Sequence, residues 1–291
     1  MNSIYVSRNG KDTVSTITEG IDVTVNALFH KKNGSKFWKE DGVRISSPKD
    51  SFIRINWAYS GAGASSEVTY NKGGAITLSS DKARARTVLM EAGIKVPETY
   101  ILGKVLDNKN YPLVARTRKH QAGQGFLVVN NDDELYDAIK AGFYYYSKLY
   151  NKEREFRVHV AHGKVLVYQE KTPVSESSRD EVIWNHANGE FTFETVSWED
   201  YDVLICKESV AAVKALGLDY GAVDIMTSST EENSVSITEV NTSPALSDYS
   251  GERYKKYFKW LLRSDTTREW FDSSEFTKGR SFAFKNFQLE G

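Results

Sequence analysis

LGLDYGAVDIM at residues 216–226 and VSITEVNTSPAL at residues 235–246 are two apolar runs, and each carries a carboxylate inside it. The polar linker SSTEENS, residues 228–234, separates them, so the pair reads as a β-hairpin with strands over 220–226 and 235–240. Side chains two apart in a strand project to the same face, which puts Glu239 and Asn241 together. If the strands pair across the linker, Asp224 lies beside them. Two carboxylates and an amide oxygen make a hard-oxygen ligand set suited to Mg²⁺. The bland alternative is a set of solvated strand residues ahead of a turn at Pro244, but carboxylates inside apolar strands weigh against it.

Upstream, REFRVHVA and KVLVYQE read as a second hairpin, with strands over 155–161 and 164–170 turning at His162-Gly163. Arg157 sits mid-strand, with Lys171 expected across the hairpin. Neighbouring cations repel unless an anion lies between them, and either a polyphosphate or a nearby acidic side chain fits. His159 shares the face of Arg157 and reads as a core or surface filler. The segment RTRKHQAGQG, residues 116–125, joins strands expected over 111–115 and 126–129. Successive amides in such a Gly-containing loop can converge on phosphate oxygens, with Arg116, Arg118 and Lys119 adding charge. Taken alone, it reads first as a glycine-containing hairpin with exposed basic residues.

Helices are punctuated clearly. Ala85, Val88, Leu89 and Ala92 fall at i, i+3, i+4 and i+7 behind Ser79 or Ser80 as cap, with Gly93 and Pro97 ending the helix. Asn131 caps a helix over 132–141, a third covers about 200–216 before Gly217, and an amphipathic one covers 252–263. Residues 1–78 are polar, with short β-type runs and a glycine-rich stretch from Gly61 to Gly74. Strands and helices mix without strict βαβ alternation, so the class is α+β.

The chain has 291 residues, enough for one large domain or two to three small ones. Its 38 Lys+Arg against 39 Asp+Glu argue against a protein whose main task is gripping nucleic acid phosphates. One cysteine, Cys206, excludes an internal disulfide and a multi-cysteine zinc site. The N-terminus lacks the apolar run of a signal peptide, and no apolar stretch approaches the ~18 residues of a membrane span. These features predict a cytoplasmic protein with no membrane partner. No Walker P-loop, GxGxxG, kinase signature or GxSxG elbow occurs.

The order of these motifs, from about residue 76 to 263, resembles the ATP-grasp superfamily, in its carboxylate–amine ligase type. SSDKARARTVLMEAGIKVPETY (79–100) looks like the helix-loop entering the nucleotide region. YPLVARTRKHQAGQGFLVV (111–129) is similar to the phosphate-covering strand-loop-strand. YYSKLYNKEREFRVHVAHGKVLVYQEK (145–171) looks like the adenine hinge and its hairpin, and the opening pair looks like the metal-binding strands.

The resemblance implies two α+β lobes clasping ATP, preceded by a small N-terminal α/β domain. Residues 1–78 would form that substrate domain and 79–291 the ATP-grasp domain. Within the latter, about 95–150 would be the smaller nucleotide-covering lobe, about 151–265 the metal-binding lobe, and the rest a C-terminal tail. It also implies roles. Lys82, Arg116 and Lys171 would contact the ATP phosphates, and the loop with His120, Gln121, Gly123 and Gly125 would close over them. Tyr146, Ser147, Lys148 and Leu149 would present backbone to adenine, and Glu155 would bind the ribose. Asp224, Glu239 and Asn241 would hold two Mg²⁺ ions. Arg157 would face the reacting carboxylate, with Lys171 also acting in catalysis. Two positions depart from the pattern. Arg116 stands where many members have Lys, and Ala222 stands where several have Arg, which shifts weight to Arg157.

The implied activity is amide formation through an acyl phosphate, with an ATP-grasp kinase, a carboxylate–thiol ligase or a non-catalytic ATP-binding module as alternatives. The implied partners are a carboxylate and an amine, either small molecules or a protein or modified nucleic-acid acceptor; a homodimer is compatible with the sequence. Acceptor contacts are expected from residues 55–63, with Asn56 and Trp57, from 172–189, with Arg179, Asn185 and His186, and from 243–250. The basic-aromatic stretch 253–285 reads as an amphipathic helix with Tyr254, Phe258, Leu261 and Leu262 inward, ahead of single-stranded nucleic acid binding.

Overall fold

A computed structural model describes residues 2–7, 25–30, 36–38, 44–46, 50–61, 65–101, 103, 110–118, 125–175 and 191–262. They form three sheets. The first has six strands in the order β4-β3-β2-β1-β5-β6, built from β1 (Asn2–Ser7), β2 (Val25–His30), β3 (Lys36–Trp38), β4 (Arg44–Ser46), β5 (Asp50–Trp57) and β6 (Ser65–Tyr70). Strands β2, β1, β5 and β6 run parallel to one another, and β3 and β4 add antiparallel beyond β2. Strand β6 lies inside the stretch read from sequence as a glycine-rich close. Pairing with β5, with Val68 opposite Ile53, overrides the weak local signal there.

Helix α1 (Gly73–Ser80) and helix α2 (Lys82–Glu91) follow. This corrects the expected cap. Ser79 and Ser80 lie in α1, where their hydroxyls donate to the carbonyls of Ala75 and Ile76 at 2.9 and 2.8 Å. Asp81 caps α2 instead, accepting from the Arg84 amide at 3.3 Å. Gly93 ends the turn at φ 75°, as its position predicts.

The second sheet, antiparallel and ordered β7-β10-β8-β9, contains β7 (Thr99–Ile101), β8 (Leu113–Arg116), β9 (Phe126–Val129) and β10 (Tyr145–Lys148). Helix α3 (Asp132–Lys140) covers it, capped by Asn131, which accepts from the Glu134 amide at 2.9 Å. Leu135 and Ala138 of α3 join Leu113, Ala115, Val129 and Tyr146 in one apolar core.

The third sheet is antiparallel and ordered β13-β12-β11-β14-β15. Its strands are β11 (Arg154–Ala161), β12 (Lys164–Pro173), β13 (Phe191–Thr195), β14 (Tyr220–Thr227) and β15 (Val235–Asn241). One face of β11, carrying Phe156, Val158 and Val160, packs with α1, α2 and α4 (Val203–Ala215). On the other face, Ala161 joins Tyr220, Trp57 of β5, and Tyr254, Tyr257, Phe258 and Leu261 of α5 (Asp248–Leu262). Burial of Tyr254, Phe258 and Leu261 fixes the packing reading for those residues; the Leu262 side chain and the remainder of the basic-aromatic stretch lie outside what is described.

Asn71 fastens the first sheet to the third. At φ 53°, it donates through Nδ2 to the Tyr220 carbonyl at 2.9 Å and accepts through Oδ1 from the Asp219 and Tyr220 amides. Its own amide donates to Asp219, and its carbonyl accepts from Asn56. Among the described residues, no helix is long and apolar enough to cross a membrane.

Candidate nucleotide and metal site

Register lines up the site on the α5-facing side of the third sheet, in layers. The innermost layer is apolar, with Ala161 opposite Tyr220. Next come His159, Ala222 and Asn241, then Arg157, Asp224 and Glu239, and then Glu155 and Lys171. Side chains therefore grade from core to charge along the strand direction, because residues two apart share a face while depth changes.

In the His159 layer, the imidazole is fully buried. Its Nε2 lies 3.1 Å from Gln169 Oε1 and its Nδ1 3.3 Å from the Tyr254 hydroxyl. A carbonyl oxygen only accepts, so Nε2 carries the proton and Nδ1 accepts from Tyr254. Burial, with Arg157 nearby, holds this histidine down at about 3.

In the next layer, Arg157 grips Asp224 with two hydrogen bonds, Nε to Oδ1 at 2.7 Å and Nη2 to Oδ2 at 2.8 Å. Lys171 is not its cross-strand partner; Gln169 is, and Lys171 stands opposite Glu155. The anion expected between the two cations is supplied by the protein itself. Glu239, opposite Asp224, is paired with Lys82. Asn241 Nδ2 donates to Asp224 Oδ2 at 3.2 Å and to Glu239 Oε1 at 3.0 Å.

Burial pushes the Asp224 carboxyl up against the pull of Arg157, and the charges of Glu239 and Glu155 add to that rise. Glu239 goes the other way. Burial disfavours its charge, but Lys82, the Asn241 hydrogen bond and Arg157 outweigh burial and hold it at about 2. One amide nitrogen thus touches both carboxylates, so they converge closely enough for a single cation to contact both. Lys82 and Arg157 already place positive charge there. The set fits a hard divalent ion, provided the Asn241 amide turns its oxygen inward. No group of three or more His, Cys, Asp or Glu is placed to hold a metal among the described residues. The converging set has two carboxylates and an amide.

Glu155 lies between two ammonium groups. Lys171 donates to Oε1 at 3.0 Å and Lys152 to Oε2 at 3.2 Å, with all three side chains largely buried. Arg116 of β8 lies over the Phe126 ring at 5.1 Å, and its buried Nε has no hydrogen-bond partner among the described residues. Gly125 closes the loop base at φ 65°, and its carbonyl accepts from the Thr117 amide at 3.1 Å. His120, Gln121 and Gly123 lie outside the described residues, as do Lys119, Arg179, Asn185 and His186.

Tyr146 and Ser147 are buried in β10. The Lys148 and Leu149 amides donate to the Glu98 and Pro112 carbonyls, both at 3.0 Å, so neither donor is open to a base. The linker 228–234 clips this hinge. Glu231 accepts from Lys148 and from the Asn151 amide, Thr230 accepts from Asn151 Nδ2, and Glu153 accepts from Ser229.

Sequence reading did not single out Lys152 or Arg86. Arg86 is buried behind Glu239, donating to the Thr238 carbonyl at 3.2 Å. The available signal for Lys152 was a cation three residues before Glu155.

No family model matches the sequence, and no curated protein matches it. Solved structures do. The VanG D-Ala:D-Ser ligase from Enterococcus faecalis aligns at TM-score 0.64 and 14% identity, over 89% of this chain and 99% of that one. The fold is the ATP-grasp fold. A Chryseobacterium gregarium RiPP-associated ATP-grasp ligase, solved with ADP and a leader and core peptide, aligns at TM-score 0.61 and 15% identity, over 90% and 96%. The ATP-grasp ligase PsnB, complexed with minimal precursor, Mg and ADP, aligns at 0.59 and 16%, over 89% and 96%. At such identities the likeness is one of fold.

Proposed function

We propose that the chain is an ATP-dependent ligase that joins a carboxylate to an amine, converting ATP to ADP and phosphate through an acyl phosphate. The observation that carries this reading is the convergence of Asp224, Glu239 and Asn241 on one strand face, ringed by Lys82, Arg157 and Lys171. Buried strands do not gather such charge for packing, since each ion pair is costly to desolvate. Solved chains of this fold include ligases complexed with ADP, with Mg and with peptide precursors, which supports the choice of cosubstrate.

In this reading residues 79–291 hold the nucleotide, and residues 1–78 form a substrate lobe. Lys82, Arg116 and Lys171 bind phosphate oxygens, and the loop with His120, Gln121, Gly123 and Gly125 covers them. Residues 146–149 flank the base, and Glu155 meets the ribose. Asp224, Glu239 and Asn241 would hold Mg²⁺, which when bound offsets the charge of the transferring phosphoryl group. Lys82 leaves Glu239 for a phosphate oxygen as the nucleotide arrives. Arg157 turns part of its guanidinium to the substrate carboxylate, orienting it toward the γ-phosphorus. The carboxylate oxygen attacks, the bond from γ-phosphorus to the bridging oxygen breaks, and ADP leaves. The amine then attacks the acyl carbon, and Arg157 stabilises the oxyanion before phosphate departs. The covering loop excludes water from the acyl phosphate. The reading assigns the protein to the cytoplasm, where ATP is available and Cys206 stays reduced.

The test is phosphate release from Mg-ATP with pooled carboxylates and pooled amines, supplied separately and together, using Glu239→Gln as the blank. Release that needs both pools supports the ligase. Release with carboxylates alone, unaffected by amines, points to a kinase or a different acceptor. Equal release by the Glu239→Gln protein removes the metal assignment.

A further inference from the structure

Helix α2 carries charged contacts to both neighbouring sheets within its first turns. Lys82 pairs with Glu239 of β15, in the third sheet. Asp81, the residue before it, divides its carboxylate between two partners. Oδ1 accepts from the Arg84 amide at 3.3 Å and caps the helix, while Oδ2 accepts from Arg118 Nη2 at 3.1 Å. Arg118 lies two residues beyond β8, in the second sheet, and its guanidinium also covers the Tyr144 ring at 5.2 Å. The Tyr144 amide donates to the Arg116 carbonyl at 2.8 Å, which ties that ring to the end of β8. One turn further along α2, Arg86 donates to the Thr238 carbonyl of β15 at 3.2 Å and lies over the Tyr145 ring of β10 at 5.7 Å. The helix thus touches both sheets at two levels.

The Asp81 side chain is 17% exposed and that of Arg118 55%, and an ion pair so open to water contributes little to the stability of a fold. Its position gives it another use. Asp81 adjoins Lys82, and Arg118 stands two residues from Arg116. Lys82 and Arg116, which come from different layers of the fold, are both assigned to phosphate oxygens. Resting on the nucleotide-site reading above, we propose that Asp81 and Arg118 are positioning residues: their ion pair fixes the end of β8 to the first turn of α2, and so holds Arg116 and Lys82 at the spacing that one polyphosphate requires. Arg118, which sequence alone offers as a phosphate contact, is turned instead to Asp81 and Tyr144. Cations held in place before the ligand arrives lose less freedom on binding it, so the pair acts on affinity more than on folding.

The experiment is a double-mutant cycle on the full chain with Asp81→Asn, Arg118→Gln and the two combined, read by calorimetric titration with Mg-ADP and by thermal unfolding without ligand. Asparagine caps a helix as well as aspartate does, so Asp81→Asn removes the ion pair and keeps the cap. Each single variant should bind Mg-ADP about fivefold more weakly, the double variant no more weakly than either single one, and the unfolding midpoint should hardly move. Arg118→Lys keeps the charge and should recover most of the affinity when Asp81 is present and none when Asp81→Asn is combined with it. Losses that add in the double variant would mean that Arg118 meets the nucleotide itself, and would overturn the assignment. So would a single variant that binds as tightly as wild type, or one whose weaker binding is matched by a lower unfolding midpoint. If the wild type binds no Mg-ADP, the nucleotide-site reading itself fails and this assignment falls with it.

Discussion

Replacing His159 with Gln should flatten the acid sensitivity of the fold. The imidazole is buried between Tyr254 and Gln169 in its neutral form, held at about 3 against an ordinary 6.5. Below pH 6.5 the unfolded chain binds a proton at this residue and the native chain does not. Native stability is therefore intact above 6.5 and is lost progressively as pH falls toward 3. Each unit of that fall removes about 1.4 kcal/mol. Between pH 7.5 and pH 5.0 the single residue should cost roughly 2 kcal/mol. Most carboxylates stay ionised over this window, so few other groups contribute. The assay is urea unfolding of wild type and His159→Gln at both pH values. The variant should be less stable at pH 7.5, because glutamine cannot reproduce both hydrogen bonds, yet should lose about 2 kcal/mol less than wild type on acidification. Identical losses in the two proteins would show that His159 already titrates normally and would refute the buried, neutral assignment.

Asn71→Ala removes the three side-chain hydrogen bonds to Asp219 and Tyr220, leaving the backbone one to Asp219, and places alanine at φ 53°; urea unfolding should show a loss of roughly 3 kcal/mol or more. Gly125→Ala would set a Cβ 2.3 Å from Thr117 Oγ1 at φ 65°, so Mg-ATP affinity should fall severalfold with little change in unfolding midpoint. Glu231→Ala releases Lys148 and the Asn151 amide from the clip on the hinge; in a phosphate-release assay KM for ATP should rise about fivefold while kcat moves less. Asp202→Ala removes the cap that accepts from the Leu204 and Ile205 amides at 2.7 and 3.1 Å, and should cost about 1 kcal/mol by thermal unfolding.

Local chemistry was legible wherever it acts within a few residues. Asn131 caps its helix, Gly93 ends one, and the His162-Gly163 turn joins β11 to β12, each at its expected place. The hairpin bearing Asp224, Glu239 and Asn241 was equally readable, because strand periodicity and a polar turn fix which side chains share a face. The α1 helix and strand β6 were not readable. Short, weakly patterned segments gain their stability from neighbours far away in the chain, here β5 and the core around Ile76.

The site divides the same way. Sequence alone set which residue types could meet an anion or a cation: one carboxylate in each of two apolar strands with an amide two residues after the second, and basic residues beside a glycine loop. Which charges actually pair was decided by tertiary register. The pairing of β11 with β14 put Arg157 on Asp224, and the β14–β15 register, shifted between Asp224 and Ile225, put Glu239 opposite Asp224. The approach of α2 to β15 put Lys82 on Glu239, and the register of β11 with β12 put Lys171 on Glu155. Electrostatic energy depends on distance and desolvation, and both are properties of the packed fold that residue order alone does not contain.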